Sequence, residues 1–201
     1  RRVLFRSAGH KIYFHVDAGQ AYGKMPLDVN DYGIDTMSVS AHKIHGPQGI
    51  GALYLRKGTK LGQIIHGVKR VDGLQTGGLS IALIAGFAKA VELGFADLDG
   101  SIKQLRELSD YLLARLKEKI EYIELSGAEG MGRAPHNINI SIDYIEGEAI
   151  TMMLDMHGIT VATGSACASQ GLKANYVLMA IGKNHVQSHG SMKFTINRYN
   201  T

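Results

Sequence analysis

The alternation of apolar and polar positions divides this chain into two stretches of different rhythm. In the first, short β-rich runs are separated by glycine-rich turns. Lys11 to Val16 (KIYFHV) reads as a strand that ends at an acidic residue, and Thr36 to Ser40 and Gly51 to Arg56 read as two more. Residues 57–79 are glycine-rich without clear period and read as loop. Ser80 stands at an N-cap position before an apolar helix over residues 81–88.

The second stretch has a helical period. Leu98, Ile102, Leu105, Ser109, Leu112, Leu116 and Ile120 recur at spacings of three and four, with Lys, Arg and Glu between them. That predicts a long helix with one face on a core and one in water, so its charges need no functional explanation. Asn137 to Ile142 alternates as a half-buried strand does. A helix over Gly147 to His157, a strand over Ile159 to Ala162, a helix over Leu172 to Ile181 and a strand over Met192 to Ile196 complete the pattern. The class this predicts is α/β, with residues 1–92 in one domain and residues 93–201 in a smaller α+β domain.

Composition narrows the partners more than the fold. The 201 residues are 45% apolar and 20% charged, ordinary for a soluble globular chain. No apolar run approaches the roughly 20 residues of a membrane helix, and nothing at the start reads as a secretion leader. Arg1 to Ser7 is basic and is read as the tail of a lost helix or a sequence scar, outside the fold argument. The net charge of +4 is scattered rather than gathered in one run, which argues against nucleic-acid binding. A single cysteine, Cys167, rules out an internal disulfide or a cysteine-based zinc cluster and suits a reducing, cytoplasmic setting.

Three constellations carry candidate chemistry. His15-Val16-Asp17-Ala18-Gly19-Gln20 puts a carboxylate at a strand end, where open α/β sheets hold ligands; alone, an aspartate capping a turn has the same pattern. Ser38-Val39-Ser40-Ala41-His42-Lys43 ends a strand in two hydroxyls, an imidazole and an amine, before a Gly/Pro turn. Such a lysine can form a Schiff base, although most single lysines are simply solvated. His42 and His45 lack the further ligands a metal site needs, so no metal is expected. Ala162-Thr163-Gly164-Ser165-Ala166-Cys167-Ala168-Ser169 surrounds the lone cysteine with small and hydroxyl residues, a context for an accessible thiolate rather than for core packing.

Taken together, HVDAGQ, SVSAHKIHGPQGIGALYLR, the long helix, GSACAS and SMKFTINRYNT resemble, in order and over nearly the whole chain, the NifS-like cysteine desulfurases. These belong to the class V, fold-type I enzymes that use pyridoxal 5′-phosphate (PLP). The resemblance implies that residues 1–92 are the C-terminal part of a PLP-binding large domain with a mixed, mostly parallel sheet. Residues 93–201 would then be the small domain with the cysteine loop, and the chain a fragment lacking the N-terminal part.

It also implies roles. Asp17 would pair with the pyridinium nitrogen, Gln20 with the ring's phenolic oxygen, and Ser40 and His42 with the phosphate. Lys43 would bind the cofactor covalently and serve as base, and Cys167 would take the sulfur of L-cysteine as a persulfide, releasing alanine. Lys193 and Arg198 would meet the substrate carboxylate. A sulfur-acceptor protein, iron–sulfur cluster assembly or thiolation, and a homodimer follow from the same resemblance.

Two positions depart from the family pattern. Lys193 (SMKFT) stands where the family has arginine, and an ammonium holds a carboxylate as a point charge without the two-pronged fork. Gln75-Thr76-Gly77-Gly78 replaces Arg-Ser-Gly-Thr, which removes the hydroxyl at position 78 that would reach a partner subunit's phosphate. The Ala162-Thr163 variation before GSAC is mild. Two other readings stay open here: another class V lyase, such as selenocysteine lyase, and a non-catalytic relative acting in dimerisation or sulfur relay.

Overall fold

Strand β1 (His15–Asp17) lies parallel to β2 (Thr36–Ser40), with His15 opposite Thr36 and Asp17 opposite Ser38. Strand β3 (Gly51–Leu55) joins β2 antiparallel, Ser40 facing Gly51, so the sheet is mixed in the order β1-β2-β3. The computed structural model describes residues 12–70, 74–163 and 174–201. The chain divides into two units, residues 1–98 and 99–201.

In the first unit, residues packed around β2 form two apolar clusters. Ala18, Ile34 and Met37 are buried with Val16, Leu27 and Tyr54 against them. Ala41, Ile44, Phe87 and Ala90 form the other, with Tyr22, Ile50 and Val91 around it. Val39 touches both clusters. Helix α1 (Ile81–Phe95) supplies the second cluster from Phe87 and Ala90, and Gly94 continues that face at helical spacing. This inward face runs one turn beyond the apolar run over residues 81–88, and the helix is correspondingly longer than that run predicts. Ser80 has the extended dihedrals of an N-cap, but its side chain makes no capping bond.

Two further differences are local. Within the glycine-rich stretch, β4 (Lys69–Arg70) and β5 (Gln75–Thr76) form a two-residue antiparallel ladder, too short to leave a periodic signature. Strand β1 includes Asp17, which the pattern placed just after the strand.

In the second unit, helix α2 (Leu98–Lys119) buries Leu105 and Ser109 on the predicted stripe. Strands β6 (Ile123–Leu125), β7 (Asn137–Ile142) and β8 (Ser191–Thr195) form an antiparallel sheet in the order β6-β7-β8. Leu125, Ile138, Ile140 and Met192 make its buried centre. Leu112, Leu113 and Leu116 of α2 pack on it, as do Ile150 and Leu154 of α3 (Gly147–Asp155). Alternation then turns Glu124, Ser141, Asn139 and Lys193 toward the opposite face.

Two short helices, α4 (Tyr176–Ala180) and α5 (His185–His189), replace the single helix expected over Leu172 to Ile181. Asn175 and Asn184 cap them, and Asn184 forms a reciprocal capping box with Gln187. Residues 172 and 173 lie outside the described residues. The strand expected over Ile159 to Ala162 reduces to one bridge, Ala162 with Lys193. Strand β6 is too short to show a period and was not anticipated. Among the described residues, no helix is long and apolar enough to cross a membrane.

Between α4 and α5 sits Lys183, only 7% exposed, with its ammonium 2.7 Å from Glu124 Oε2. The same carboxylate oxygen accepts from Gln187 Nε2 at 3.0 Å. Removing the acid leaves a buried ammonium without its counter-charge. Glu124→Gln should therefore lower stability by about 1–2 kcal/mol, the open side of the pair moderating the loss. Urea unfolding followed by circular dichroism measures it, and an unchanged midpoint would refute the tether.

Gly190 follows α5 and opens onto β8, where its carbonyl accepts from Ile142 N. A methyl group there would lie 2.1 Å from the Ile142 carbonyl oxygen and 2.9 Å from that of Ile145. Both are main-chain atoms and cannot rotate aside. Gly190→Ala should cost about 3 kcal/mol or more, since overpacking here must shift the backbone; the same unfolding experiment reads it.

Candidate active site

Parallel pairing of β1 and β2 brings their C-terminal ends to one edge of the sheet, so Asp17 and Ser40 emerge on the same side. Asp17 is exposed, and its Oδ1 accepts the Gly19 amide at 3.0 Å in a turn closed on its own side chain. The chain then folds back, with Tyr22 N bonding Ala18 O at 2.8 Å and Ala18 N bonding Ser38 O at 2.9 Å. This turn is pressed onto the end of β2. Gly23 takes φ +69°, and a methyl group on it would lie 3.0 Å from Ile44. Gln20 lies exposed in the same turn.

After Ser40 the chain enters a single 3-10 turn, Ala41–Ile44. Ala41 and Ile44 are buried and act as the turn's anchors, which leaves exposed His42 and half-buried Lys43 directed away from the core. His45 ends the turn in the left-handed region at φ 65°. Gly46 follows because a side chain there would meet Ala41 O and Ala90 Cβ, both at 3.0 Å. The Ser40 hydroxyl makes no capping bond. An apolar pair thus fixes the turn, and its polar side chains are left for something else.

The charge at this edge is lopsided. Lys24 lies in the turn after Asp17 and has its pKa lowered, first by burial and then by the positive charge of Lys43. Neither amine forms an ion pair within the protein. Two neighbouring ammonium groups without a counter-charge make a place for an anion. Lys24 was not singled out from the sequence, which offers no pattern that would have marked it.

These groups fit PLP by their chemistry. A carboxylate suits the ring nitrogen, an unpaired amine suits the aldehyde, and an unspent hydroxyl, an imidazole and the excess positive charge suit the phosphate. Asp17, Gln20, Ser40, His42 and Lys43 all belong to the first unit.

Lys193 and Arg198 belong to the second unit. Lys193 sits in β8 opposite Asn139, and its main chain is held on the other flank by Ala162, with N–H to O at 2.7 Å one way and 3.3 Å the other. Beyond Ala162 the chain enters the stretch that contains Cys167, which lies outside the described residues. Arg198 is half-buried in the turn after β8.

With this arrangement established, comparison with known proteins defines the class. The aminotransferase class-V family matches residues 4–201, and the chain belongs to that family. It is 43% identical over 192 residues to the cysteine desulfurase IscS of Dictyoglomus turgidum, covering 96% of this chain and 48% of that protein. A solved NifS-like protein superposes with a TM-score of 0.84 at 28% identity, over all of this chain and 50% of the other. SspA, whose structure was solved in complex with cysteine, superposes with a TM-score of 0.71 at 26% identity, over 96% of this chain and 52% of that one. The chain spans about half the length of the curated relatives it matches. The family is PLP-dependent, and the mixed α/β architecture agrees with the expected class.

Burial and the charge of Lys43 disfavour the ammonium form of Lys24, so Lys24 opposes folding most fully below its lowered pKa. That opposition fades as pH rises toward the ordinary lysine value of 10.5. Lys24→Met should therefore raise the melting temperature at neutral pH by on the order of 1 °C, given the partial exposure of the site. The gain should shrink toward pH 10, and calorimetry at the two pH values checks both the sign and the trend.

Proposed function

We propose that this chain is part of a PLP-dependent cysteine desulfurase that converts L-cysteine to L-alanine and holds the sulfur as a persulfide on Cys167. The observation that carries the reading is the group of a carboxylate, a hydroxyl, an imidazole and an unpaired lysine at one sheet edge, in a chain similar to cysteine desulfurases over nearly all its length.

When bound, PLP supplies an electron sink for charge that develops at the substrate's α-carbon. In this reading Asp17 keeps the ring nitrogen protonated, and Gln20 hydrogen-bonds the phenolic oxygen. Ser40 and His42 hold the phosphate through charge-assisted hydrogen bonds. Lys43 anchors the cofactor and, when its amine is free, takes the proton from the substrate's α-carbon. Lys193 and Arg198 bind the substrate carboxylate.

The Cys167 thiolate attacks the substrate sulfur. A sulfur–sulfur bond forms as the substrate's carbon–sulfur bond breaks, and the carbon left behind takes a proton to become the methyl group of alanine. An acceptor protein then removes the persulfide sulfur, for iron–sulfur cluster assembly or thiolation. A homodimer and a cytoplasmic location belong to the same proposal.

Borohydride reduction of the protein incubated with PLP, followed by peptide mass mapping, tests the site. A phosphopyridoxyl group is expected on Lys43 and should vanish in Lys43→Ala; an adduct that persists in the variant refutes the assignment. Cys167→Ser should keep PLP and lose alanine production by at least about a hundredfold. Undiminished alanine release from that variant would point to another nucleophile.

A further inference from the structure

The polar face of the β6-β7-β8 sheet holds unpaired groups that the fold does not need. Asn137 Oδ1, Asn139 Oδ1 and Ser191 Oγ are buried there without a hydrogen-bond partner. Residues 137, 139 and 141 of β7 share this face with residues 191, 193 and 195 of β8, each directly opposite its counterpart. One end of the face is closed by Glu124 with Lys183 and Gln187. Toward the other end lie Asn139 and Lys193, a directly opposed pair whose Cβ atoms stand about 5 Å apart by the geometry of antiparallel strands.

Neither side chain of that pair is spent elsewhere. Lys193 makes no side-chain hydrogen bond or ion pair, and Asn139 Nδ2 has no partner. A half-buried ammonium beside an unpaired carboxamide is a costly arrangement for a protein interior. An anion that accepts from both nitrogens would offset the cost.

We infer that Asn139 and Lys193 together hold the α-carboxylate of the amino-acid substrate, Lys193 supplying the charge and Asn139 Nδ2 supplying direction. The inference rests on the desulfurase reading and refines it. An arginine at position 193 would deliver two parallel donors from one planar group. The lysine delivers one charged donor, and the amide across the strand pair supplies the second. The main chain of residue 193 is pinned on both flanks, by Asn139 and by Ala162, which fixes the root of the ammonium arm.

The test is a double-mutant cycle in the PLP-loaded full-length protein, read as equilibrium binding of L-alanine and L-cysteine by calorimetry, apart from turnover. Asn139→Ala should weaken binding of both amino acids by on the order of tenfold, the scale of one hydrogen bond to a charged group. Cysteamine, which has no carboxylate, should bind the variant and the unmodified protein alike. In a Lys193→Arg background, Asn139→Ala should cost no more than about twofold, because the fork already provides the second donor.

Equal losses in both backgrounds, or a matching loss for cysteamine, would show a structural role and overturn the inference. Unchanged binding in Asn139→Ala would overturn it as well, with the desulfurase reading intact. An unmodified protein that binds PLP but neither amino acid would overturn the reading and the inference together.

Discussion

The parallel registration of β1 on β2 is the constraint on which the first unit depends. Antiparallel neighbours send their ends to opposite edges, whereas parallel ones release both chains at the same edge. The carboxylate of Asp17 and the Ser40–Lys43 group share an edge for that reason, although nineteen residues of loop separate Asp17 from Met37. Packing beneath this edge is apolar and shared, since Ala41 and Ile44 of the 3-10 turn lie in one cluster with Phe87 and Ala90 of α1. The reactive groups are positioned by residues that have no chemistry of their own. A change at Ala90 or Phe87 would reach the site through Ile44, without touching a polar atom.

The second unit follows a different plan. Its sheet is dry on one face, where Ile138, Ile140 and Met192 meet α2 and α3. It is polar on the other, where Glu124, Ser141, Asn139 and Lys193 line up. Period-two alternation makes such a division automatic. Polar burial on that scale is costly unless something satisfies it, and only Glu124 and Ser141 find partners inside the protein, in Lys183 and Ser126. The same sheet therefore has a stabilising end and an end suited to binding.

Much of this was legible in the residues. The long helix, β2, β7 and the small-residue setting of Cys167 came from period and composition, because amphipathic elements leave their burial pattern in the chain. The HVDAGQ and SVSAHK stretches marked the cofactor edge because strand-end carboxylates and lysines are rare together. What escaped has physical causes. Strand β6 and the ladder at Lys69–Arg70 are shorter than any period. Helix α1 outran its apolar run because a buried stripe of Phe87, Ala90 and Gly94 can lie among exposed residues. Lys24 and Asn139 matter through neighbours distant in sequence, and a lone lysine or asparagine carries no sign of them.

The loop between β6 and β7 is organised by a single side chain. Arg133 donates through Nε to Asn137 O at 2.8 Å, through Nη1 to Ala128 O at 2.7 Å and through Nη2 to Ser126 O at 2.8 Å. Arg106 of α2 adds bonds to Gly130 O at 2.7 Å and Arg133 O at 3.0 Å. All five acceptors are main-chain oxygens, which every residue type possesses. The loop can therefore drift in composition across evolutionary time while its path stays the same, provided the two guanidinium groups and the number of peptide units between them are kept.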